Sequence, residues 1–483
     1  MLEDCTRNES AAADYRRSRK NHWDRVAERM DVWKGWGGYY HRRIEKVLQF
    51  LVPPGQRVIE IGCAQGDLLA SVRPSFGVGV DFSGEMLKRA NKKYPHLHFI
   101  LADAHDLSLS EKFDFIILSD VVNDLWDVQT VFRRIGNLTT PQSRIIINSY
   151  SRLWELPLWI VKKLGLGRPT LFQNWLTVDD IGGLLNHADF EVIKHWEEIM
   201  WPLPTPLLAS FFNSIVVRMW PFKIFALTHF MVARPRMNRA KVVAEPRVSV
   251  IVPARNEAGN IPAIFERVPE MGGGTELVFV EGHSTDDTYH AVEIAMARYP
   301  HRRCTLLRQS GVGKGDAVRT GFAHESGDIL MILDGDLTVP PEDLPRFYEA
   351  LVSGKGEFIN GVRLVYPMER EAMRYFNLVG NKFFSLAFTW LLGQPIKDTL
   401  CGTKVLWKSD YERIAASRAY FGDFDPFGDF DLLFGAARLN LKIIEMPIRY
   451  RERVYGKTNI SRWRHGWLLL KMVLFAVRRI KFV

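Results

Sequence analysis

The sequence predicts an α/β protein of two domains, each organised around a mostly parallel sheet. Its 483 residues are about three times the length of an average domain. Short segments rich in β-branched residues alternate with helical segments twice along the chain, which is typical of doubly wound sheets. Residues 235–246 are basic, lack strong periodicity and end in proline, so they are predicted to form a linker.

The first series of strands occupies residues 1–234. Seven strands are predicted there, at 57–61, 78–81, 97–101, 113–119, 144–150, 190–196 and 224–233. The second series occupies residues 247–460 and begins with predicted strands at 247–253, 276–280, 304–309 and 328–334. The two series share no obvious repeat, so we predict a fusion of two different enzymes.

The composition is that of an ordinary globular protein, with 47% hydrophobic and 25% charged residues, and it excludes a disordered or fibrous chain. There are 64 Lys and Arg against 55 Asp and Glu, but residues 449–483 alone hold ten basic residues and one acidic residue, Glu452. The rest of the chain is neutral, which argues against nucleic-acid binding. The four cysteines form no CxxC pair, so neither a zinc site of the usual spacing nor a disulfide framework is predicted.

The N-terminal segment is polar and charged, so no secretory signal is predicted. The longest uncharged stretch, residues 199–217, contains three prolines and cannot form one membrane-spanning helix. We therefore expect a cytoplasmic protein that is peripheral on the cytosolic face of a membrane.

In the first domain, glycines and acidic residues follow three successive predicted strands. Gly62 and Gly66 lie in the turn after the first strand, where glycine allows a positive φ and a close approach by a ligand. A tight turn without a ligand is the alternative for the glycines alone. Asp81 ends the second strand, where a carboxylate can accept ribose hydroxyls, and Asp103 follows the third. Together these residues indicate a nucleoside site.

Three segments carry a resemblance to class I S-adenosylmethionine-dependent methyltransferases: Glu60-Ile-Gly62-Cys-Ala-Gln-Gly66, Gly79-Val-Asp81 and Ala102-Asp103-Ala104. It covers roughly residues 23–234 and includes a seventh strand. The resemblance implies a Rossmann-like sheet whose glycine turn backs the amino-acid part of S-adenosylmethionine, with ribose at Asp81 and adenine at Asp103. The cofactor-site residues that it implies are Glu60, Gly62, Gly66, Asp81, Asp103 and Asp120. The sequence departs from the family at Ala64, where a glycine is common.

The methyl acceptor is harder to identify, because positioning can supply most of the rate of methyl transfer and a base is optional. Candidate residues lie after the fourth strand and in the aromatic segment 33–43, whose alternative role is a packed first helix. His105 is a candidate base, with a solvated loop histidine as the alternative. The candidates after the fourth strand are Asp120, Asn123 and Asp124.

In the second domain, the first strand breaks into a polar loop at Pro253–Glu257, and the second strand ends in Glu281. Lys314 stands in a glycine-rich turn before a helix, where a diphosphate is readily bound, although the spacing is not that of a Walker loop. An apolar strand then delivers Asp334 and Asp336. Two carboxylates one residue apart offer a hard divalent cation two oxygen ligands, and Mg²⁺ or Mn²⁺ would complete its shell with diphosphate and water.

These motifs resemble family-2 glycosyltransferases with a GT-A fold, in particular the dolichol-phosphate mannose synthase-like, polyprenyl-phosphate branch. The resemblance spans about residues 247–460 and includes VPARNE, GKGDAVRTG, DGDLTVPPED, DTLCGTKV and YRERVYGKTN. It implies that Pro253, Glu257, Glu281, Lys314 and Asp334 bind the nucleotide sugar, while Asp334 and Asp336 hold the metal. The sequence departs from the family in two places, since Glu281 replaces an Asp and Thr338 replaces a Gln.

Two acceptor chemistries follow from the resemblance. A hydroxyl acceptor requires a general base, and the base candidates are Asp429 and Asp431, whose alternative role is to cap or orient their helix. A phosphate monoester is already largely ionised near neutral pH and requires cations instead. The resemblance places Arg363, Arg374 and Arg453 there, with an ordinary surface position as the alternative for each.

Residues 461–483 are predicted to form a basic amphipathic helix in the membrane interface. Its alternative is to dock on the core of the protein. The basic stripe consists of Arg464, Lys471, Arg478 and Lys481, and the apolar stripe of Trp463, Trp467, Leu470, Leu474 and Val477. Residues 383–396 are a second apolar segment suited to a greasy acceptor, and residues 207–217 a third, with the alternative of a lid on the first domain.

We therefore predict a bifunctional enzyme. The second domain transfers a hexose from a nucleotide sugar to polyprenyl phosphate or a lipid-linked glycan, and the first methylates the same glycan. The alternatives are a glycosyltransferase that acts on a soluble hydroxyl acceptor and a first domain that only binds a nucleoside or a partner. An anionic membrane surface is an expected partner, nucleic acid is not, and the oligomeric state is not predicted.

Overall fold

The computed structural model describes residues 2–29, 38–164, 171–236, 245–363, 365, 375–418, 430–456 and 462–477. Its contacts divide the chain into two compact units, residues 1–236 and 237–482, which we call unit 1 and unit 2. Each unit contains one seven-stranded sheet with helices. The predicted architecture of two successive α/β units is confirmed.

The sheet of unit 1 has the strand order β3-β2-β1-β4-β5-β7-β6. Strand β7 is antiparallel to both of its neighbours, and the other pairs are parallel. Burial on both faces explains why the central strands read as continuous apolar segments. The strands are β1 (Arg57–Ile61), β2 (Phe76–Asp81), β3 (His98–Leu101), β4 (Phe115–Ser119), β5 (Arg144–Tyr150), β6 (Phe190–Glu198) and β7 (Thr228–Pro235).

The helices of unit 1 begin where polar side chains satisfy free backbone N–H groups. The Ser83 hydroxyl accepts a hydrogen bond from the Met86 N–H at the start of α4, and Thr177 and Asp180 form a reciprocal capping box at the start of α7. The helices are α1 (Leu2–Arg29), α2 (Gly38–Leu51), α3 (Asp67–Ser71), α4 (Gly84–Lys93), α5 (Val128–Gly136), α6 (Glu155–Lys163), α7 (Val178–His187) and α8 (Leu208–Ser214).

The seventh strand begins later than predicted. Residues 224–227 were expected in this strand, but Phe222–Phe225 form a short 3₁₀ helix and β7 starts at Thr228. The backbone N–H of Ala226 bonds to the Lys223 carbonyl within this turn, so it is not available to a neighbouring strand. At the start of the predicted strand, Ile224 and Phe225 are exposed rather than buried in the sheet.

The sheet of unit 2 has the strand order β10-β9-β8-β11-β13-β12-β14. Strand β13 is antiparallel to β11 and β12, and the other pairs are parallel. The strands are β8 (Val248–Ala254), β9 (Thr275–Glu281), β10 (Arg303–Arg308), β11 (Ile329–Ile332), β12 (Phe358–Val362), β13 (Lys404–Trp407) and β14 (Ile443–Pro447).

Helices cover this second sheet as well. They are α9 (Ile261–Arg267), α10 (Thr288–Arg298), α11 (Lys314–His324), α12 (Leu344–Val352), α13 (Tyr375–Leu392), α14 (Lys408–Ala416), α15 (Phe430–Arg438) and α16 (Arg462–Ala476). Within the described residues, no helix combines the length and the apolar character needed to cross a bilayer.

Helix α16 is amphipathic in an unexpected way. Met472, Val473 and Ala476 are buried in an apolar core that also includes residues of α13 and α15. Trp467, Lys471 and Leu474 are exposed. The docking alternative therefore holds for one face of the helix, while the other face is exposed and its placement in a membrane interface stays a prediction. Val477 was predicted on the membrane face, but it packs against the core.

Candidate functional site

The glycine turn of unit 1 connects β1 to α3 through three residues in the left-handed region. Gly62, Ala64 and Gly66 have φ values of 75°, 45° and 76°. A Cβ atom on Gly62 would lie 2.7 Å from the Val121 side chain, so this position has no room for a larger residue. The turn is the feature that the sequence predicted, and Ala64 adopts the backbone conformation that glycine favours there.

Asp81 holds this turn in place. Its Oδ2 accepts a hydrogen bond from the Ala64 N–H at 2.9 Å, and its Oδ1 accepts one from the Ser83 N–H at 2.8 Å. Burial raises the pKa of Asp81, and the two N–H groups oppose this effect. A carboxylate has about four lone-pair sites, so both oxygens retain acceptor capacity toward a ligand.

Asp103 binds the side chain of His105. The Nδ1 of His105 lies 2.5 Å from Oδ1 of Asp103, and the Nε2 of His105 accepts from the Asp127 N–H at 3.1 Å. His105 is buried, so the solvated-loop alternative is wrong for this residue. Burial tends to raise the pKa of Asp103, but its hydrogen bonds with His105 and the nearby Arg16 guanidinium hold it below its usual value.

A cavity of about 360 Å³ lies at the carboxyl ends of β1, β2 and β3. Three of the predicted cofactor residues, Gly62, Asp81 and Asp103, line it, whereas Glu60, Gly66 and Asp120 do not. Glu60 is buried in β1, where its Oε2 accepts from the Leu69 N–H of α3 at 3.0 Å. Glu60 therefore fixes the helix that follows the turn.

Helix α1 forms part of the wall of this cavity, which the sequence did not predict. Arg16 lies 3.6 Å from Asp103, and the Nε of Arg19 donates to the Asp124 carbonyl at 3.0 Å. The hydroxyl of Ser83 donates to Asp24 of α1 at 2.5 Å. The only sequence signal was the spacing of basic residues in DYRRSRK, which also describes an ordinary solvated helix.

Asp120 lies behind the turn at the end of β4. Its Oδ1 accepts hydrogen bonds from the Tyr40 hydroxyl at 2.8 Å and from Asn148 Nδ2 at 2.7 Å. Burial raises the pKa of Asp120 to about 7, and these hydrogen bonds oppose the increase. Tyr40 is buried and stacks on Tyr150, so the packed-helix alternative holds for Tyr40.

In unit 2 the loop after β8 meets the two-aspartate motif. A Cβ atom on Gly335 would lie 3.2 Å from the Pro253 carbonyl and 3.4 Å from the Glu257 side chain. Glycine at this position therefore allows the motif to approach the loop. The structure thus brings Pro253 and Glu257 together with the segment 334–336. The sequence predicted these residues at neighbouring strand ends.

Arg453 connects Glu257 to Asp336. Its Nη1 donates to Glu257 Oε1 at 3.0 Å, and its Nη2 donates to Asp336 Oδ2 at 2.6 Å. Burial raises the pKa of Glu257 to about 7, and the guanidinium opposes this. Thr338, which replaces the family's Gln, donates its hydroxyl to Asp336 Oδ1 at 2.7 Å.

Lys314 pairs with the other aspartate. Lys314 is the first residue of α11, and its Nζ lies 2.6 Å from Asp334 Oδ1. Burial opposes ionisation of Asp334, yet the positive charges of Lys314, Lys404 and Arg363 hold its pKa below the usual value. A Cβ atom on Gly402 would collide with both Asp334 and Lys314, which explains the glycine in DTLCGTKV.

Glu281 lies at the end of β9, beside this loop. It is largely buried, and its Oε1 accepts from the Ser284 N–H. The strand pairing aligns Glu281 with Ala254 at the end of β8. The predicted placement of acidic residues at adjacent strand ends therefore corresponds to neighbouring positions in the sheet.

The predicted acceptor residues are engaged with protein groups. Arg363 forms two hydrogen bonds with the buried Asp398, at 2.7 and 2.8 Å, and this carboxylate raises the pKa of Arg363 although burial opposes the increase. Asp431 accepts from Arg418 Nε at 2.7 Å. Arg374 and Asp429 lie outside the described residues, as do the side chains of Trp463, Arg464, Arg478 and Lys481.

The donor set at Asp334 and Asp336 fits a hard divalent cation only in part. Two carboxylates one residue apart supply oxygen ligands of the type that Mg²⁺ and Mn²⁺ prefer. Among the described residues, no group of three or more His, Cys, Asp or Glu side chains is arranged to hold a metal ion. A cation at this position would therefore need further oxygen ligands, of the kind that a diphosphate provides.

Comparison with known proteins gives matches for both units. Residues 249–413 match the family model described as glycosyl transferase family 2, and residues 53–191 match the one described as methyltransferase domain. A dolichol-phosphate mannosyltransferase from Pyrococcus furiosus is 28% identical over 248 residues, which cover 49% of this chain and 67% of that protein. Glycosyltransferase AglJ from Haloferax volcanii is 29% identical over 224 residues, 46% of this chain and 69% of that protein.

Several solved methyltransferase structures match part of this chain. Among them is an S-adenosylmethionine-dependent methyltransferase from Mesorhizobium loti, with 19% identity and a TM-score of 0.31. The match covers 39% of this chain and 96% of that chain.

Proposed function

We propose that this chain, which joins a methyltransferase domain to a family-2 glycosyltransferase domain, is a bifunctional enzyme that modifies a lipid-linked glycan. Unit 2 transfers a hexose, with inversion, from a nucleotide sugar to polyprenyl phosphate or to a lipid-linked glycan. Unit 1 transfers a methyl group from S-adenosylmethionine, and we propose the same glycan as its acceptor.

The observation that carries the glycosyl-transfer proposal is the cationic pairing of the two-aspartate motif. Lys314 and Arg453 neutralise Asp334 and Asp336. A divalent cation on the carboxylates would release these side chains, which are then available to the oxygens of a diphosphate. Glu257, Glu281 and Pro253 line the neighbouring strand ends and are the proposed nucleoside-binding residues. The bound metal would supply charge neutralisation on the leaving diphosphate.

For the acceptor we favour a lipid phosphate. The Pyrococcus furiosus relative is a dolichol-phosphate mannosyltransferase, and a phosphate acceptor needs no general base. The base candidate Asp431 is paired with Arg418 at 2.7 Å, so its Oδ2 is already engaged with a protein group. Arg363 is held by Asp398, so its proposed role is to place positive charge near Asp334 rather than to reach the acceptor freely.

For the methyl donor, the cavity between the glycine turn and α1 is the proposed binding site. Asp81 retains acceptor capacity for ribose hydroxyls, and Asp103 lies at the adenine end that the family resemblance implies. The side chains of Leu101, Ala102 and Leu125 also line the cavity and make much of its surface apolar. A cavity with apolar walls and a few fixed carboxylates suits a nucleoside.

The membrane surface that we propose for unit 2 consists of two helices in contact, α13 and α16. Phe383, Leu386 and Trp390 of α13 and Trp467 and Leu474 of α16 are exposed apolar side chains. Lys471 lies beside Trp467, with its Nζ 5.8 Å from the ring centroid. Basic and aromatic side chains on one helix are typical of peptides bound at an anionic bilayer interface.

The experiment that tests this function is product mass spectrometry on the full chain. The protein is incubated with a panel of nucleotide sugars and Mg²⁺ or Mn²⁺, with polyprenyl phosphate, with a soluble hydroxyl acceptor or with neither, and then with S-adenosylmethionine. We expect a hexose added to the lipid and a methyl group added afterwards. Transfer only to a soluble hydroxyl acceptor, or a first unit that binds the donor without methylating, would establish the corresponding alternative.

A further inference from the structure

Two insertions of unit 1 expose an unusual amount of apolar surface. Residues 151–164 follow β5 and residues 199–227 follow β6. Because β5 and β6 are both antiparallel to β7, they run in the same direction. Their carboxyl ends therefore lie at the sheet edge where β1, β2 and β4 also end, which is the edge of the methyl-donor cavity.

Many of the large apolar side chains in these insertions are exposed to solvent. Helix α6 buries none of its residues, although five of its nine are apolar or aromatic. We define the docking surface by six side chains with exposed fractions between 45% and 86%: Leu156, Trp159, Ile160, Leu207, Phe211 and Trp220. An apolar area of this extent on a protein surface indicates an interaction site.

The two insertions form one surface. The Trp154 indole N–H donates to the Phe225 carbonyl at 2.9 Å, and the Ser151 N–H donates to the Leu227 carbonyl at 2.8 Å. Helix α8 contacts the turn at Val216–Arg218, which in turn contacts Phe222–Phe225. The surface is thus built from adjoining segments rather than from two separate patches.

The charge around this surface is basic. The two insertions contain Arg152, Lys162, Lys163, Arg218 and Lys223 and one acidic residue, Glu155. Arg218 and Lys223 form ion pairs with Glu198 and Glu197 of β6, so the excess of positive charge comes from Arg152, Lys162 and Lys163. The Lys163 ammonium lies 4.4 Å from the centroid of the Trp159 ring. Lysines next to exposed tryptophans suit the headgroup region of an anionic bilayer. A symmetric contact between two copies would instead place basic side chains against one another.

The surface lies near the methyl-donor cavity. Asp124 lines that cavity. Burial lowers the pKa of Lys162 in α6, and the negative charge of Asp124 opposes this decrease. The backbone carbonyl of Phe172, whose side chain is exposed, accepts a hydrogen bond from Arg19 of α1. A molecule held at the docking surface would therefore be close to the site of methyl transfer.

We propose that unit 1 binds an anionic lipid bilayer through the docking surface, independently of α13 and α16. The bilayer would present the methyl acceptor as the headgroup of an embedded lipid. This second statement rests on the proposed methyl transfer, whereas bilayer binding does not. Unit 1 then selects acceptors that carry a lipid anchor over the same headgroup free in solution.

The test is flotation of the full chain with vesicles of phosphatidylcholine and phosphatidylglycerol, without substrates. The triple variant Leu156→Ser, Trp159→Ser, Leu207→Ser should partition at least about tenfold less onto these vesicles, because apolar burial and charge both contribute. The control Ile294→Ser replaces an exposed apolar residue of α10 in unit 2 and should bind as the wild type does. Undiminished binding of the triple variant would overturn the proposal.

A second measurement does not depend on a triple substitution. Brominated phosphatidylglycerol vesicles should quench the fluorescence of Trp159, seen as the difference between the wild type and Trp159→Phe. Equal quenching of the two proteins would contradict the proposal. If the triple variant changes the oligomeric state but floats normally, the surface joins two copies, and the proposal is wrong.

The two proposals fail in distinguishable ways. Flotation with loss at the triple variant, but without sugar or methyl transfer, would overturn the proposed function and leave bilayer docking standing. If the protein transfers both the sugar and the methyl group but its triple variant floats normally, bilayer docking is overturned and the proposed function stands. In the triple variant we also expect slower methyl transfer to a lipid-anchored acceptor and an unchanged rate with the same headgroup free in solution.

Discussion

The Nη2 of Arg453 donates a hydrogen bond to Oδ2 of Asp336 at 2.6 Å across 117 residues of sequence. The same guanidinium binds Glu257 through its other terminal nitrogen. One cation thus connects the predicted metal ligand to the predicted nucleoside-binding loop. The removal of any of the three groups should therefore affect sugar transfer more than it affects unit 1.

Asp336→Ala should abolish sugar transfer, because the proposed cation would lose one of its two protein ligands. S-adenosylmethionine affinity, measured by calorimetry on the same protein, should equal that of the wild type. Incubation with EDTA should reproduce the loss of transfer in the wild type. Full transfer activity in EDTA would contradict the metal assignment.

Arg453→Met should lower sugar transfer by about tenfold or more, because charge-assisted hydrogen bonds contribute about 1.5–3 kcal/mol. The neighbouring Arg451 is exposed, so Arg451→Met is a matched control that removes a charge without touching Glu257 or Asp336. The measurement is the initial rate with a fixed nucleotide sugar. Equal rates for the two variants would remove Arg453 from the site.

Asp81→Ala should weaken binding of the methyl donor by about 1.5–3 kcal/mol, through the loss of hydrogen bonds to ribose. The substitution also removes the acceptor of the Ala64 and Ser83 N–H groups. Asp81→Asn separates these effects, since an amide oxygen can still accept one of them. Calorimetry that gives wild-type affinity for the alanine variant would reject the ribose role.

The stability of unit 1 should depend on Asp120. Burial raises the pKa of this carboxyl from 3.8 to about 7. Between these two pH values the folded state therefore retains a proton that the unfolded chain has lost. Stability relative to Asp120→Asn should therefore decrease as the pH rises from about 4 to about 7, and level off above that range. Denaturant unfolding at several pH values measures this, and a constant difference between the proteins would contradict it.

The exposed face of α16 should contribute to vesicle binding without contributing to the core. Trp467→Ser with Leu474→Ser should reduce flotation with anionic vesicles, and Lys471→Glu should reduce it further at low salt, since one lysine near the leaflet contributes about 1 kcal/mol. Val473→Ser is the contrasting variant: Val473 is buried, so its substitution should lower the free energy of unfolding instead. A deletion of the helix would confound the two effects.

Much of both sites could be predicted because the relevant residues stand at strand ends. Asp81 and Glu281 are the last residues of apolar strands, and Asp334 follows one. Parallel sheets bring such strand ends to one edge. Glycine spacing similarly predicted the turn at 62–66. These features depend on the local sequence pattern and on the parallel topology that the alternation of strands and helices indicates.

The pairing of charges could not be predicted in the same way. The sequence suggested that Arg363 meets an acceptor phosphate, but its guanidinium lies against Asp398, 35 residues away. Lys314 similarly meets Asp334 directly. These contacts depend on how β13 and the segment between α13 and β13 lie against the sheet, and no local periodicity predicts such distances. The role of α1 was missed for the same reason, because its basic residues resemble any solvated helix.

Arg453 is synthesised after the two carboxylates that it binds. Glu257 and Asp336 emerge long before Arg453, so the two carboxylates approach one another in a nascent chain that lacks their shared counter-charge. Their mutual repulsion should keep this edge of the sheet loosely formed during synthesis. Ordering of the edge would then coincide with arrival of the segment after β14, so a chain that stalls before residue 453 should expose this edge to proteolysis.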